Sequence, residues 1–251
     1  MQDWQIVSGS AIGNSHLATG RNSQDAVATA TLDYALIGFL ADGCSASLHS
    51  EVFAKLAVEF LTRRTRKLLH FVKRSILPTV LFRDLINFLD ASLSAQGLND
   101  DISRQNFLET YCLFTVMGII ITPKTSLLLT CGDGVVIIND AEISLDQNNT
   151  PTYPAYALHQ TVIDKFPEAV PHGFTVWELK TNSLNRLGIT SDAFNQRPDL
   201  LTDLASVTKS STKLQMALNR WTILQQLLDD DASLILATKL EVHDESASLP
   251  K

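Results

Sequence analysis

Tyr34-Ala35-Leu36-Ile37-Gly38-Phe39-Leu40-Ala41-Asp42-Gly43 is an almost wholly apolar run that stops abruptly at an acid and a glycine. A strand with so little polar alternation is covered on both faces, so it belongs in the middle of a layered sheet system. Just before it, residues 26–32 are rich in β-branched residues, and only Asp33 separates the two runs. That pattern predicts a tight hairpin. With 251 residues, 45% of them apolar, the chain can bury a sizeable core, and one domain over residues 1–240 is expected. Residues 241–251 form a polar tail that is expected to be disordered.

Outward from the hairpin, Val52, Leu56 and Phe60 and, one step on, Phe53, Ala57 and Leu61 recur at i and i+4, marking an amphipathic helix over residues 50–69. Its basic end, Arg63-Arg64-Thr65-Arg66-Lys67, complements a helix dipole. A second helix is expected over 79–93 after Pro78, closed by a loop at Asn99-Asp100-Asp101. Residues 110–121 and 126–138 read as a long hairpin joined by Pro123-Lys124-Thr125. Its second arm is interrupted by Gly132-Asp133-Gly134, which suggests a bulge or a close backbone approach. Residues 139–171 carry little periodicity and four of the eight prolines, so a long loop or small subdomain is expected. Strands follow at 174–179 and 186–190. Then comes a helix with Leu214, Leu218, Trp221, Leu224 and Leu228 on one face, and a last strand over 233–238.

The net charge of -7 excludes a general attraction to nucleic acid or anionic lipid. Three scattered cysteines, Cys44, Cys112 and Cys131, lack the spacing of a zinc site or a disulfide scaffold and read as reduced thiols. The start, Met1-Gln2-Asp3-Trp4-Gln5, has no signal-peptide character, and no run approaches the ~18 apolar residues of a membrane span. These features predict a cytoplasmic protein with no membrane partner.

Asp25, Asp42, Asp133, Asp192 and Asp230 all stand where an apolar strand starts or stops. If the strands belong to one sheet system, those ends can converge. Converging carboxylates repel one another unless cations are present. Donor sets made of oxygen alone favour magnesium or manganese over zinc. Two such ions about 3.5 to 4 Å apart are a known device for attack on phosphorus.

The sequence resembles the metal-dependent protein phosphatases of type 2C, and more closely their bacterial branch. Gly13-Asn14-Ser15-His16, followed by Gly20 through Ala26 with Gln24-Asp25 at its centre, is similar to the family's opening motif. Ala41-Asp42-Gly43, Gly132-Asp133-Gly134, Ser191-Asp192 and Asp230-Asp231-Ala232-Ser233 resemble its later motifs, in the same order. The resemblance implies an α+β fold, a four-layer α-β-β-α sandwich of two antiparallel sheets with helices on both outer faces. It implies hydrolysis of phosphoserine or phosphothreonine in a protein substrate by a metal-bridged hydroxide, with two magnesium or manganese ions and a third held more weakly. By the same carry-over Asp42 bridges two ions, the Gly43 carbonyl binds one, Asp192 and Asp230 complete that site, and Asp25 serves the second. Asp133 then serves the third. Arg21 and His16 are the candidates for holding the substrate phosphate, Arg21 standing one step from the family's arginine position.

Ala193 follows Asp192 where the family carries glycine, and a positive φ there would strain the backbone. That departure and the displaced Arg21 keep two other functions in view, a catalytically weak relative acting as a binding module and a phosphatase of a small phosphorylated metabolite. The oligomeric state is not written in these residues; a monomer is the simpler expectation.

Overall fold

The computed structural model describes residues 1, 3–147, 150–202, 204, 208 and 210–240. The 241–251 tail therefore lies outside the described residues. The chain opens with β1 (Trp4–Ala11), a strand that local pattern does not predict because Ser8-Gly9-Ser10 breaks its apolar run. Pairing makes it a strand. It runs antiparallel to the final strand along its whole length, from Trp4 opposite Lys239 to Ala11 opposite Ala232. After a short helix α1 (Asn14–Thr19), the hairpin appears as expected, with β2 (Ala26–Leu32) and β3 (Ala35–Gly43) paired antiparallel.

Helices α2 (Ser50–Leu68) and α3 (Leu77–Ala95) follow, close to their expected limits. On α2 the buried stripe is Phe53, Ala57 and Leu61, whereas Val52 and Leu56 are exposed. Residues one position apart lie about 100° apart around a helix, so only one of the two predicted rows can face the sheet. A further helix, α4 (Asp101–Tyr111), fills the stretch between the expected loop at 99–101 and the expected strand from 110, and takes one residue from the loop and two from the strand. Its start is fixed by Asp100, whose carboxylate accepts the Ser103 N–H at 2.9 Å as an N-cap.

The long hairpin is β4 (Phe114–Ile121) and β5 (Thr125–Cys131), and it ends at Gly132. Gly132 and Gly134 adopt φ of 109° and 132°, and between them the chain leaves one sheet and enters the other as β6 (Val135–Ile138). A side chain at either glycine would be strained by that backbone. The described residues of 139–171 contain β7 (Ala141–Ser144), short 3-10 turns and an α-helix, α5 (Gln160–Lys165). The remaining elements are β8 (Thr175–Lys180), β9 (Arg186–Thr190), α6 (Pro198–Thr202), α7 (Ser211–Asn219) and β10 (Ala232–Lys239). A π-helical turn, Arg220–Leu224, extends α7. It turns Leu224 out to solvent while Leu214, Leu218 and Trp221 stay buried, so the predicted face ends early.

The strands form two five-stranded antiparallel sheets, ordered β1-β10-β9-β6-β7 and β2-β3-β4-β5-β8. Alternation along β3 explains the layering. Leu36 and Leu40 join Met117, Leu187, Ile189 and Ile235 in the apolar layer between the sheets. Ile37, Phe39 and Ala41 face the other way, into the layer shared with α2 and α3. Sheet β1-β10-β9-β6-β7 meets α7 through Val7, Leu214, Leu218, Leu234 and Leu236. The result is the expected α-β-β-α sandwich. Each large side chain buried in these layers contributes about 1.5 to 3 kcal/mol of transfer free energy.

Candidate metal centre

Strand register brings the acids together. In one sheet, Thr190 at the end of β9 stands opposite Val135 at the start of β6 and Leu234 near the start of β10. Asp133, Asp192 and Asp230, each within a few residues of those positions, therefore share one end of that sheet. In the other sheet, Ala26 pairs with Ala41 and Thr115 with Asp42, so Asp25 and Asp42 share the same strand ends. Packing the sheets face to face puts both sets at one end of the sandwich.

Asp42, Asp133, Asp192 and Asp230 line a cavity of about 190 Å³ together with Gly43, Cys44, Ser45, Thr115 and Tyr153. Asp25 sits behind it, 3% exposed. Burial, and then the carboxylates of Asp25, Asp192, Asp230 and Asp133, push the Asp42 carboxyl well above its usual range. Asp25 is raised by burial and by Asp231, an effect opposed by the hydroxyls of Ser233 and Ser191. Burial and Asp192 push Asp133 up to about 6, and burial and Asp230 raise Asp192. All four resist ionisation because one charge faces another in a partly dry pocket.

Both carboxylate oxygens of Asp25 are buried with no donor in hydrogen-bonding geometry, the Ser233 and Ser191 hydroxyls standing near enough to ease the charge but not aligned to bond it. An ionised carboxylate so placed costs several kcal/mol unless a cation compensates it. The donor set is oxygen throughout, which suits a hard divalent ion. The residues present therefore fit magnesium or manganese.

Behind the acids lies a clasp. Asp231, 3% exposed, accepts the Gly13 N–H at 2.7 Å, the Gln24 N–H at 2.6 Å and the His16 Nδ1–H at 2.9 Å. The backbone N–H groups of Asn14 and Ser15 bond the carbonyls of Leu228 and Asp229. This approach leaves no room at Gly13, where a Cβ would lie 2.3 Å from the Asp230 carbonyl carbon. Gln24 extends the brace, its amide reaching the Ser50 hydroxyl at 2.6 Å and the Ser47 carbonyl at 3.1 Å. Arg21 donates to the carbonyls of Ser45 at 2.7 Å and Ser47 at 2.5 Å. The two residues considered for phosphate binding are thus both engaged with protein, His16 with Asp231 and Arg21 with the loop after Gly43. The ligand atoms of His16, Asp230 and Asp231 lie within 4.8 Å of one another, but the His16–Asp231 bond occupies two of the three.

Ala193 is not among the described residues with positive φ, and Asp192–Phe194 forms a 3-10 turn, so alanine is unstrained there. Two acids were missed in the sequence. Asp231 is indistinguishable by type from its neighbours Asp229 and Asp230, and only its burial sets it apart. Asp146, beyond β7, acts on Asp133 and Asp192 by charge, which sequence spacing could not show.

Comparison with known proteins bears on the fold and the family. Residues 12–230 match the family described as protein phosphatase 2C. No curated protein matches in sequence. Among solved structures, a serine/threonine phosphatase from S. agalactiae is 14% identical with a TM-score of 0.61, the alignment covering 95% of this chain and 100% of that one. The catalytic domain of the serine/threonine phosphatase PstP, solved with two manganese ions, is 11% identical with a TM-score of 0.58 and coverage of 95% and 99%. RsbX, solved with magnesium, is 12% identical with a TM-score of 0.54 and coverage of 94% and 95%. The structural likenesses show the shared fold, and the match over residues 12–230 shows that the chain belongs to the protein phosphatase 2C family.

Proposed function

We propose that the chain is a metal-dependent serine/threonine protein phosphatase acting on phosphorylated protein substrates. One observation carries this reading: five aspartates from both sheets meet at one end of the sandwich, where burial and mutual charge raise Asp25, Asp42, Asp133 and Asp192 together. Asp42, the Gly43 carbonyl, Asp192, Asp230 and Asp25 would hold two magnesium or manganese ions, and Asp133 would serve a weaker third position. Bound there, divalent cations would neutralise the acids, polarise a phosphoryl oxygen and acidify a water.

The chain's own residues do the rest. The clasp of Gly13, His16 and Gln24 on Asp231 orients Asp230, and the bond from Arg21 to Ser45 and Ser47 shapes the loop beside Asp42. Arg21 would reach a phosphate only by releasing those carbonyls. Burial and mutual repulsion hold these acids back from ionising until cations load, so metal binding and the release of their protons are coupled. No helix among the described residues is long and apolar enough to cross a membrane, and Cys44, Cys112 and Cys131 are free thiols. Both fit a cytoplasmic enzyme.

The test is hydrolysis of a phosphoserine peptide by the purified protein with manganese, and by Asp42→Asn. Turnover that falls by a factor of about 100 or more in the variant is expected for loss of a shared ligand. No turnover by the native chain, or an unchanged rate in Asp42→Asn, would overturn the reading.

A further inference from the structure

Beside the acid-lined cavity lies a second, larger one of about 540 Å³. Cys44, Pro151 and Tyr153 form part of the wall of both, so the two are neighbours separated by a single layer of side chains. Their linings differ in kind. The first is dominated by carboxylates, while the second is made by Leu113, Tyr153, Tyr156, Val162 and Phe166, with Glu168 as its one carboxylate. Most of its wall comes from residues 150–169, the long segment between β7 and β8 that the metal centre does not otherwise use.

Phe166, on the rim of this recess, is 53% exposed. The segment that carries it is nevertheless well held. His159 accepts the Val162 N–H at 3.4 Å, and its other ring nitrogen bonds Glu109 of α4 at 2.9 Å. Tyr153 and Tyr156 pack edge to face with ring centroids 5.2 Å apart. A preformed, mostly apolar recess beside a polar reaction site is how proteins bind a substrate's unreactive part.

We propose that this recess is a specificity subsite, receiving an apolar side chain one to three positions from the phosphorylated residue of the substrate. The inference rests on the phosphatase reading above. Extended peptides advance about 3.3 Å per residue and project alternate side chains to opposite sides. A phosphoserine seated over the acids therefore presents a near neighbour to the adjoining recess. A Leu or Phe there loses apolar surface to Leu113, Tyr156, Val162 and Phe166, whereas an acidic side chain meets Glu168 and gains nothing.

The experiment is a panel of phosphoserine peptides, otherwise alanine-rich, in which each position within three of the phosphoserine is set in turn to Leu, Phe, Glu or Lys. The values of kcat/KM are compared for the native chain, Val162→Ser and Phe166→Ala in manganese. Leu or Phe at one position should raise kcat/KM about tenfold over alanine, the discrimination typical of filling an apolar pocket. That ratio should fall toward one in both variants and persist in Phe166→Tyr. Thermal melting of each variant guards against a general loss of structure. Equal turnover across the panel, or a preference unchanged in both Val162→Ser and Phe166→Ala, overturns the subsite and leaves the phosphatase reading standing. Absence of turnover on every peptide overturns both.

Discussion

Replacing Asp231 by Asn changes one oxygen to an amide nitrogen and leaves shape nearly intact, so it isolates the clasp behind the metal centre. The Oδ1 atom accepts Gly13 N–H, and Oδ2 accepts both Gln24 N–H and His16 Nδ1–H. An asparagine has one acceptor oxygen. Placed toward Gln24 and His16, it turns its NH2 against the Gly13 donor; reversed, it abandons two donors. At least one charge-assisted bond is lost and one buried N–H is orphaned, together about 2 to 4 kcal/mol. Removing the Asp231 charge also relieves Asp25, which Asp231 disfavours in its ionised form. That offset places the metal-free variant at the lower end, roughly 2 kcal/mol, or about 4 to 8 °C in Tm for a chain of this size. Urea unfolding followed through Trp4, Trp177 and Trp221 in chelator measures it. Asp229→Asn is the control, since Asp229 is exposed and supplies its backbone carbonyl to the clasp. A cost below about 0.5 kcal/mol for Asp231→Asn, equal to that of an ordinary surface change, would mean that the three bonds do not hold the loop.

Gly13→Ala should cost about 1 to 3 kcal/mol as overpacking, because its Cβ would sit 2.3 Å from the Asp230 carbonyl carbon and 2.5 Å from the Asp229 oxygen. Manganese affinity should weaken with it, and calorimetry showing native affinity together with native stability would count against the clasp. Manganese binding should also weaken as pH falls through about 6, because burial and Asp192 push the Asp133 carboxyl up to about 6 and Asp25 and Asp42 are raised as well, so protons compete with the ion. The sign is the reverse for the metal-free fold. Raised carboxyl pKa values favour the protonated native state, so these groups' contribution to stability is fully present below their unfolded pKa and is lost as pH rises through the folded one. Urea stability in chelator should therefore decline from pH 4 toward pH 7, and a manganese affinity that is flat over the same range would contradict the assignment. Arg21→Lys replaces a planar fork that reaches the Ser45 and Ser47 carbonyls with a single ammonium. Phosphopeptide kcat/KM should drop roughly tenfold, the usual effect of disturbing a supporting residue, and native kcat/KM in the variant would remove Arg21 from the site's support.

What could be read from the chain follows from how strongly local pattern constrains structure. Strand β3 announces itself because both of its faces are covered, and the apolar run Ala35–Ala41 leaves no other assignment. Asp42 was identifiable at its end for the same reason, and Asp25 at the start of its hairpin partner β2. Strand β1 was hidden, since its identity comes from pairing with β10 more than 200 residues away. Helix α4 was hidden by weak amphipathicity: Leu108 is its one buried residue, and the Asp100 cap resembles any acidic loop. The crossing of the chain between sheets at Gly132 and Gly134 was half visible, as an interruption whose destination only tertiary structure supplies. Asp231 and Asp146 could not be separated from ordinary surface acids, because their roles arise from neighbours distant in sequence.

Whether these acids form a metal centre at all is decided most directly by anomalous diffraction from a crystal of the protein soaked in manganese. Two or more peaks should appear among Asp25, Asp42, Asp192 and Asp230, with the Asp42 carboxylate shared between two of them. A well-ordered structure with no peak inside this cluster would contradict the metal-dependent phosphatase reading.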